Sequence, residues 1–72
     1  MLPEEFLMEF NSQGELTVKG CVDVNEYISE NILLVSEIYY INVKGNNLYL
    51  KQFSEKDTVI CGTIESINFI KR

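Results

Sequence analysis

The chain has two thiols, Cys21 and Cys61, and no histidine. Two cysteines are too few for a structural zinc site, and the commonest metal ligand is missing altogether, so no metal and no cofactor is expected. A single disulfide is the alternative use of the pair. The opening residues read as lacking a secretory signal, however, and in a reducing compartment both cysteines are better explained as small buried apolar residues beside glycines.

Without histidine, a serine or cysteine nucleophile would need another base, and no G-x-S-x-G or comparable signature is present. The carboxylates Asp23, Glu26, Glu55, Asp57 and Glu65 fall in loops or on polar strand faces, where solvation accounts for them; an acidic hydrolase would need two of them to converge in a cleft. Asp23, Asn25 and Glu26 supply oxygen atoms but lack the glycine and terminal glutamate of a calcium loop. No catalytic residues are assigned, and a non-enzymatic protein is expected. The remaining chemistry lies in Tyr27, Tyr39, Tyr40 and Tyr49, which would line the mouth of a small-ligand-binding β-barrel, the alternative reading.

Eleven acidic residues against six basic ones give a formal net charge of −5. Nucleic-acid-binding domains carry basic stripes that release counterions, and none is visible here, so no nucleic-acid partner is expected. The acidity is uneven. Residues 1–36 hold seven acids and Lys19 alone, a net of −6, while residues 37–72 hold four acids and five bases, a net of +1. No apolar run approaches the roughly 20 residues that span a bilayer, so no direct membrane span is expected.

The elements that must position these residues read as strands. "MLPEEFLMEF" has Pro3, Glu4 and Glu5 in the manner of a first helical turn, with Leu2, Phe6 and Phe10 on one face, so residues 1–14 form either a short helix or an extended arm. "ELTVK" then alternates through Leu16 and Val18, and "VDVNEY" through Val22 and Val24 to Tyr27. "NILLV" and "IYYINV" are apolar on both faces, and "NLYLKQF" alternates through Leu48 and Leu50. "TVICGTIESINFI" gives two short runs hinged at Gly62.

Turn residues separate these runs at Ser29 to Asn31, Ser36 and Glu37, Gly45 to Asn47 (a tight hairpin), and Ser54 to Asp57. The spacing predicts one all-β domain over residues 1–72, with six to seven short antiparallel strands in a meander, sandwich or small barrel.

Val-Lys-Gly occurs twice, at Val18 to Gly20 and Val43 to Gly45, each time between an apolar run and one ending in an aromatic; Val59 to Gly62 is a partial echo. The phosphate-cradling use of glycine needs a helix start that is absent here. Gly20, Gly45 and Gly62 therefore read as structural glycines at strand ends or bends.

In "ILLVSEIYYI" eight of ten residues are apolar or aromatic. Alternation sends Ile32 and Leu34 to one side and Leu33 and Val35 to the other, so both sides need cover. A domain of this size buries only about 60% of the surface its unfolded chain exposes. The second face is thus expected to meet another chain, with Leu33, Val35, Tyr39 and Ile41 as candidate interface residues and a homo-oligomer as the outcome; a closed small barrel or a covering arm, for which "FLMEF" is available, is the alternative.

The order "LPEEF", "LTVKGCVDVNEYISENILLV" and "INVKGNNLYLKQFSEKDTVICGTIESINFI" resembles the YabP/YqfC family of small sporulation proteins, the YqfC branch more closely. That branch has an LP-acidic start (Leu2 to Glu4), an apolar strand leading to a Glu-Tyr pair (Val22 to Tyr27), an apolar-x-G turn before another strand (Val43 to Leu50), and a G-x-I-x-x-I-x-F ending (Gly62 to Phe69). The resemblance implies a cytoplasmic mother-cell protein acting near the forespore membrane, alongside a membrane-anchored partner. It implies a structural or adaptor role and brings no catalytic residues with it.

Overall fold

The computed structural model describes residues 6–20 and 22–72. They form six strands: β1 (Phe6–Phe10), β2 (Leu16–Gly20), β3 (Asp23–Ile28), β4 (Asn31–Val35), β5 (Tyr39–Phe53) and β6 (Asp57–Lys71). All pairings are antiparallel within one open sheet of order β1-β2-β6-β5-β4-β3. The all-β expectation holds. At the N-terminus the described residues take the extended option: β1 pairs with β2 through Met8↔Val18 and Phe10↔Leu16. Leu2, Pro3, Glu4 and Glu5 lie outside the described residues, as does Cys21.

Two expected breaks are not breaks. The sequence places a tight hairpin at Gly45 to Asn47 and a hinge at Gly62, yet β5 and β6 each run unbroken for 15 residues. A straight strand of that length would extend about 50 Å at roughly 3.3 Å per residue. The longest dimension of the molecule is only 35 Å, so the long hairpin must bend. It does so at the glycines, where the register shifts between Lys44 and Gly45 and again between Asn46 and Tyr49.

The reason is close backbone approach. A Cβ on Gly45 would collide with the carbonyl oxygen of Thr63, and one on Gly62 with the carbonyl oxygen of Asn47. Gly62 also has φ +117°, a region closed to most side chains. The β3–β4 turn braces the bend from outside: the Gly45 N–H donates to Glu30 O at 3.1 Å and the Leu48 N–H to Ser29 O at 2.8 Å.

The bend divides the sheet into two halves. The proximal half comprises β3, β4, Tyr39–Lys44 of β5 and Ser66–Lys71 of β6; the distal half comprises β1, β2, Tyr49–Phe53 of β5 and Thr58–Cys61 of β6. One hydrophobic cluster joins them, with Ile32, Leu34, Ile41 and Val43 from the first and Leu16, Val18 and Ile60 from the second, all at 0% exposure. Each such side chain contributes about 1.5–3 kcal/mol by leaving water. Alternation supplies them, since Ile32↔Val43 and Leu34↔Ile41 are cross-strand partners. Valine inward and lysine outward holds for both Val-Lys-Gly copies: Val18 and Val43 are buried, Lys19 and Lys44 exposed.

Candidate functional site

The bend turns one side of the sheet inward and leaves an outer face on each half. On the proximal outer face, Leu33 and Val35 are half-buried, while Tyr40 and Ile70 are 36% and 55% exposed. The pairings Val35↔Tyr40 and Tyr40↔Ile70 set three of these side by side across three strands. Arg72 borders them. Arg72 Nη1 donates to Ser36 O at 2.7 Å, and its guanidinium lies over the Tyr40 ring, 5.6 Å from the centroid.

Ser36 ties this corner together. Buried at 4% exposure, its Oγ accepts from the Tyr39 N–H at 2.9 Å and donates to Tyr39 O at 3.2 Å, closing the β4–β5 turn. The same face carries a row of carboxamides. Asn42 Nδ2 donates to Asn31 Oδ1 at 2.8 Å, and Asn31 Nδ2 donates to Glu26 Oε1 at 2.9 Å. Asn68, opposite Asn42 in register, extends the row onto β6. Asparagine is depleted in strands, so Asn42 within "IYYINV" and Asn68 within "SINFI" were sequence signals of this row.

The distal outer face is built on charge. Glu15 Oε2 accepts from Lys51 Nζ at 2.9 Å and from the Cys61 thiol at 3.4 Å, while Glu15 Oε1 accepts from Asn11 Nδ2 at 2.7 Å. Asn11 is itself placed by the β1–β2 turn, its Oδ1 accepting from the N–H groups of Gln13 and Glu15. These bonds, Lys51 first, pull Glu15 down from an ordinary 4.5 to about 2. Glu15 in turn holds the Lys51 ammonium above its usual range.

Cys61 is 5% exposed and carries a free thiol. Burial pushes that thiol up, away from the thiolate form. Tyr49, its cross-strand partner, is also raised, chiefly by the hydrogen bond to Cys61.

Of the four candidate interface residues, Leu33 and Val35 lie on the proximal outer face, but Ile41 is fully buried in the core and Tyr39 shares its side of the sheet. The register is the cause. Leu33 pairs with Asn42 and Val35 with Tyr40, so odd-numbered residues of β4 share a face with even-numbered residues of β5. The outward place passes from Tyr39 and Ile41 to Tyr40 and Asn42.

The four tyrosines do not line one opening. The Tyr27 hydroxyl accepts from the Leu50 N–H at 2.9 Å, Tyr39 packs edge-on against Phe69, Tyr40 lies under Arg72, and Tyr49 belongs to the distal face. The interior they would guard is filled by the aliphatic cluster.

Nor do the carboxylates converge. Glu26 is bound to Asn31, Glu65 accepts from Asn46 Nδ2 at 2.8 Å, and Asp23 is exposed on β3. Glu55 and Asp57 line a recess with Ser54 and Lys56, and that recess is the β5–β6 turn itself, closed by the Ser54 N–H donating to Asp57 O at 2.8 Å. Among the described residues, no group of three or more cysteine and acidic side chains is arranged to hold a metal ion.

Fold and surface together define a small single-sheet β domain whose conspicuous outward features are an apolar patch with a carboxamide row and an ion-paired patch. Residues 4–72 match the model of the YabP family, and the chain belongs to that family, which is associated with sporulation. No curated protein and no solved structure matches the chain.

Proposed function

We propose that this chain is a non-catalytic structural or adaptor domain of sporulation, of the YqfC branch, that self-associates and docks on a membrane-anchored partner at the forespore surface. It would act from the mother-cell cytoplasm. The observation that carries this reading is the proximal outer face, where Tyr40 and Ile70 stand exposed beside the half-buried Leu33 and Val35. A monomer that leaves contiguous large apolar side chains in water gains by covering them. Arg72 and the Asn31–Asn42 row border the apolar residues with directional polar groups, as a polar rim borders an apolar interface centre. Among the described residues no helix is long and apolar enough to cross a membrane.

Two measurements test the two halves of the proposal. Sedimentation velocity at micromolar concentration should give a species larger than one chain; a monomer at every concentration overturns self-association. In sporulating cells, a fluorescent fusion should concentrate at the forespore membrane, and Leu33→Glu, a substitution at a half-buried outward position, should disperse it. Equal enrichment of wild type and Leu33→Glu would remove the outer face from the docking role.

A further inference from the structure

We propose that the β3–β4 hairpin is a strap that shields the distal edge of β5 from strand addition by a second copy of the chain, with the Tyr27 hydroxyl as its latch. β4 pairs with β5 only from Tyr40 to Lys44, so beyond the bend, among the described residues, β5 has β6 on one side and no strand on the other. N–H groups on that side are nevertheless taken. Gly45 donates to Glu30 O at 3.1 Å, Leu48 to Ser29 O at 2.8 Å and Leu50 to the Tyr27 hydroxyl at 2.9 Å. Two carbonyls of a turn and one phenol thus stand where the carbonyls of a neighbouring strand would.

The local sequence shows how the strap reaches so far. β3 lies two strands away from β5 in the sheet, yet the length of a tyrosine side chain carries a hydroxyl from Tyr27 to the Leu50 amide. Asn47 adopts a left-handed φ of +55° within the irregular stretch between Asn46 and Tyr49, and the next N–H, that of Leu48, meets the turn.

This edge is one that needs a guard. Leu48 to Phe53 reads Leu-Tyr-Leu-Lys-Gln-Phe, apolar or aromatic at four of six positions, with no proline and a single charge, the composition of segments that template pairing. That charge, on Lys51, is matched by Glu15 at 2.9 Å. A second copy is the natural intruder, because an edge offers the same row of backbone groups to its own antiparallel image. The rim strand β3, by contrast, presents the exposed carboxylates Asp23 and Glu26. The three bonds of the strap sit together at one end of the hairpin, so they can open while the β4–β5 ladder from Tyr40 to Lys44 stays formed. The inference is independent of the association proposed for the proximal outer face.

Amide exchange and sedimentation test the strap in the Leu33→Glu background, which takes the proximal outer face out of the comparison. Adding Tyr27→Phe keeps the ring and removes the latch. The Leu50 amide should then exchange about fivefold faster, and sedimentation velocity should show a concentration-dependent species larger than that of Leu33→Glu alone. Adding Gln52→Lys as well, a charge at an exposed position of the same edge, should abolish the new species. Faster Leu50 exchange with no larger species, or a larger species that survives Gln52→Lys, overturns the shielding role. An unchanged Leu50 exchange rate overturns the latch. Failure of the proximal face would show instead as a monomeric wild type, which leaves this inference standing.

Discussion

On the distal side of the Gly45–Gly62 bend, the outer face is occupied by Glu15, Lys51, Tyr49 and Cys61, which satisfy one another through hydrogen bonds and an ion pair. On the proximal side, the equivalent surface holds Leu33, Val35, Tyr40 and Ile70, of which Tyr40 is met by the Arg72 guanidinium and none takes part in a hydrogen-bonded cluster like the distal one, beside a row of carboxamides. Both halves are built from the same two long strands and share one core. The difference lies in what each strand does after it crosses the bend: the distal face is closed upon itself by hydrogen bonds, and the proximal face, where we propose that a partner docks, keeps its large apolar side chains outward. On that proposal, association is a local property of half a sheet.

The comparison depends on the bend, so the largest effect should come from removing it. Gly62→Val adds a side chain where φ is +117° and where even a Cβ meets the Asn47 backbone. A loss of more than about 4 kcal/mol is expected, enough to leave so small a domain largely unfolded in a thermal melt. A folded, cooperative Gly62→Val protein would show that the two halves need no glycine to face each other.

Ile41→Ala in the proximal half and Ile60→Ala in the distal half sharpen the claim of one shared core. Both side chains are at 0% exposure in the same cluster, and each truncation should cost about 3 kcal/mol. Each variant should still melt in a single transition, seen alike by far-ultraviolet circular dichroism and tyrosine fluorescence. Two separate transitions would mean that the halves are independent units.

What the sequence discloses of all this follows the range of the interactions. Alternation put Leu16 with Val18 and Ile32 with Leu34 on inward faces, because inward burial is written in each strand's own pattern. At Gly45 the sequence allows both a strand bend and a tight hairpin, since Gly-Asn-Asn suits either, and only the Thr63 carbonyl on the opposite strand distinguishes them. The displacement of the patch from Tyr39 and Ile41 to Tyr40 came from the β4–β5 register, a single-residue matter that inverts every face assignment across the turn. The Glu15–Cys61 and Glu15–Lys51 contacts join residues 46 and 36 positions apart, and nothing local to either partner announces them.

A smaller effect is expected at the brace between β3 and the distal part of β5. Tyr27→Phe removes the hydroxyl that accepts from the Leu50 N–H at 2.9 Å. Stability should fall by about 1 kcal/mol, and the Leu50 amide should exchange with solvent faster than in wild type. Unchanged exchange at Leu50 would show that the tyrosine does not guard that edge.

The gentlest test concerns the distal face and pH. Glu15 has its folded-state value lowered from 4.5 to about 2, so the folded protein binds its proton less readily than the unfolded chain does. Its contribution is therefore complete above about 4.5 and is lost as pH falls through the interval down to about 2. Glu15→Gln has no carboxyl to titrate, so its stability should decline less steeply than wild type across that interval, while at neutral pH it should be the less stable of the two. Lys51→Ala removes the first of the bonds that lower Glu15 and should move the wild-type acid limb to higher pH. Leu33→Glu, on the proximal face, has no contact with this cluster and should add no such change at Glu15, measured by nuclear magnetic resonance titration of its side-chain carboxyl. If Leu33→Glu moved the Glu15 titration as far as Lys51→Ala does, the two outer faces would be coupled through the bend, and their separate roles in closure and association would no longer hold.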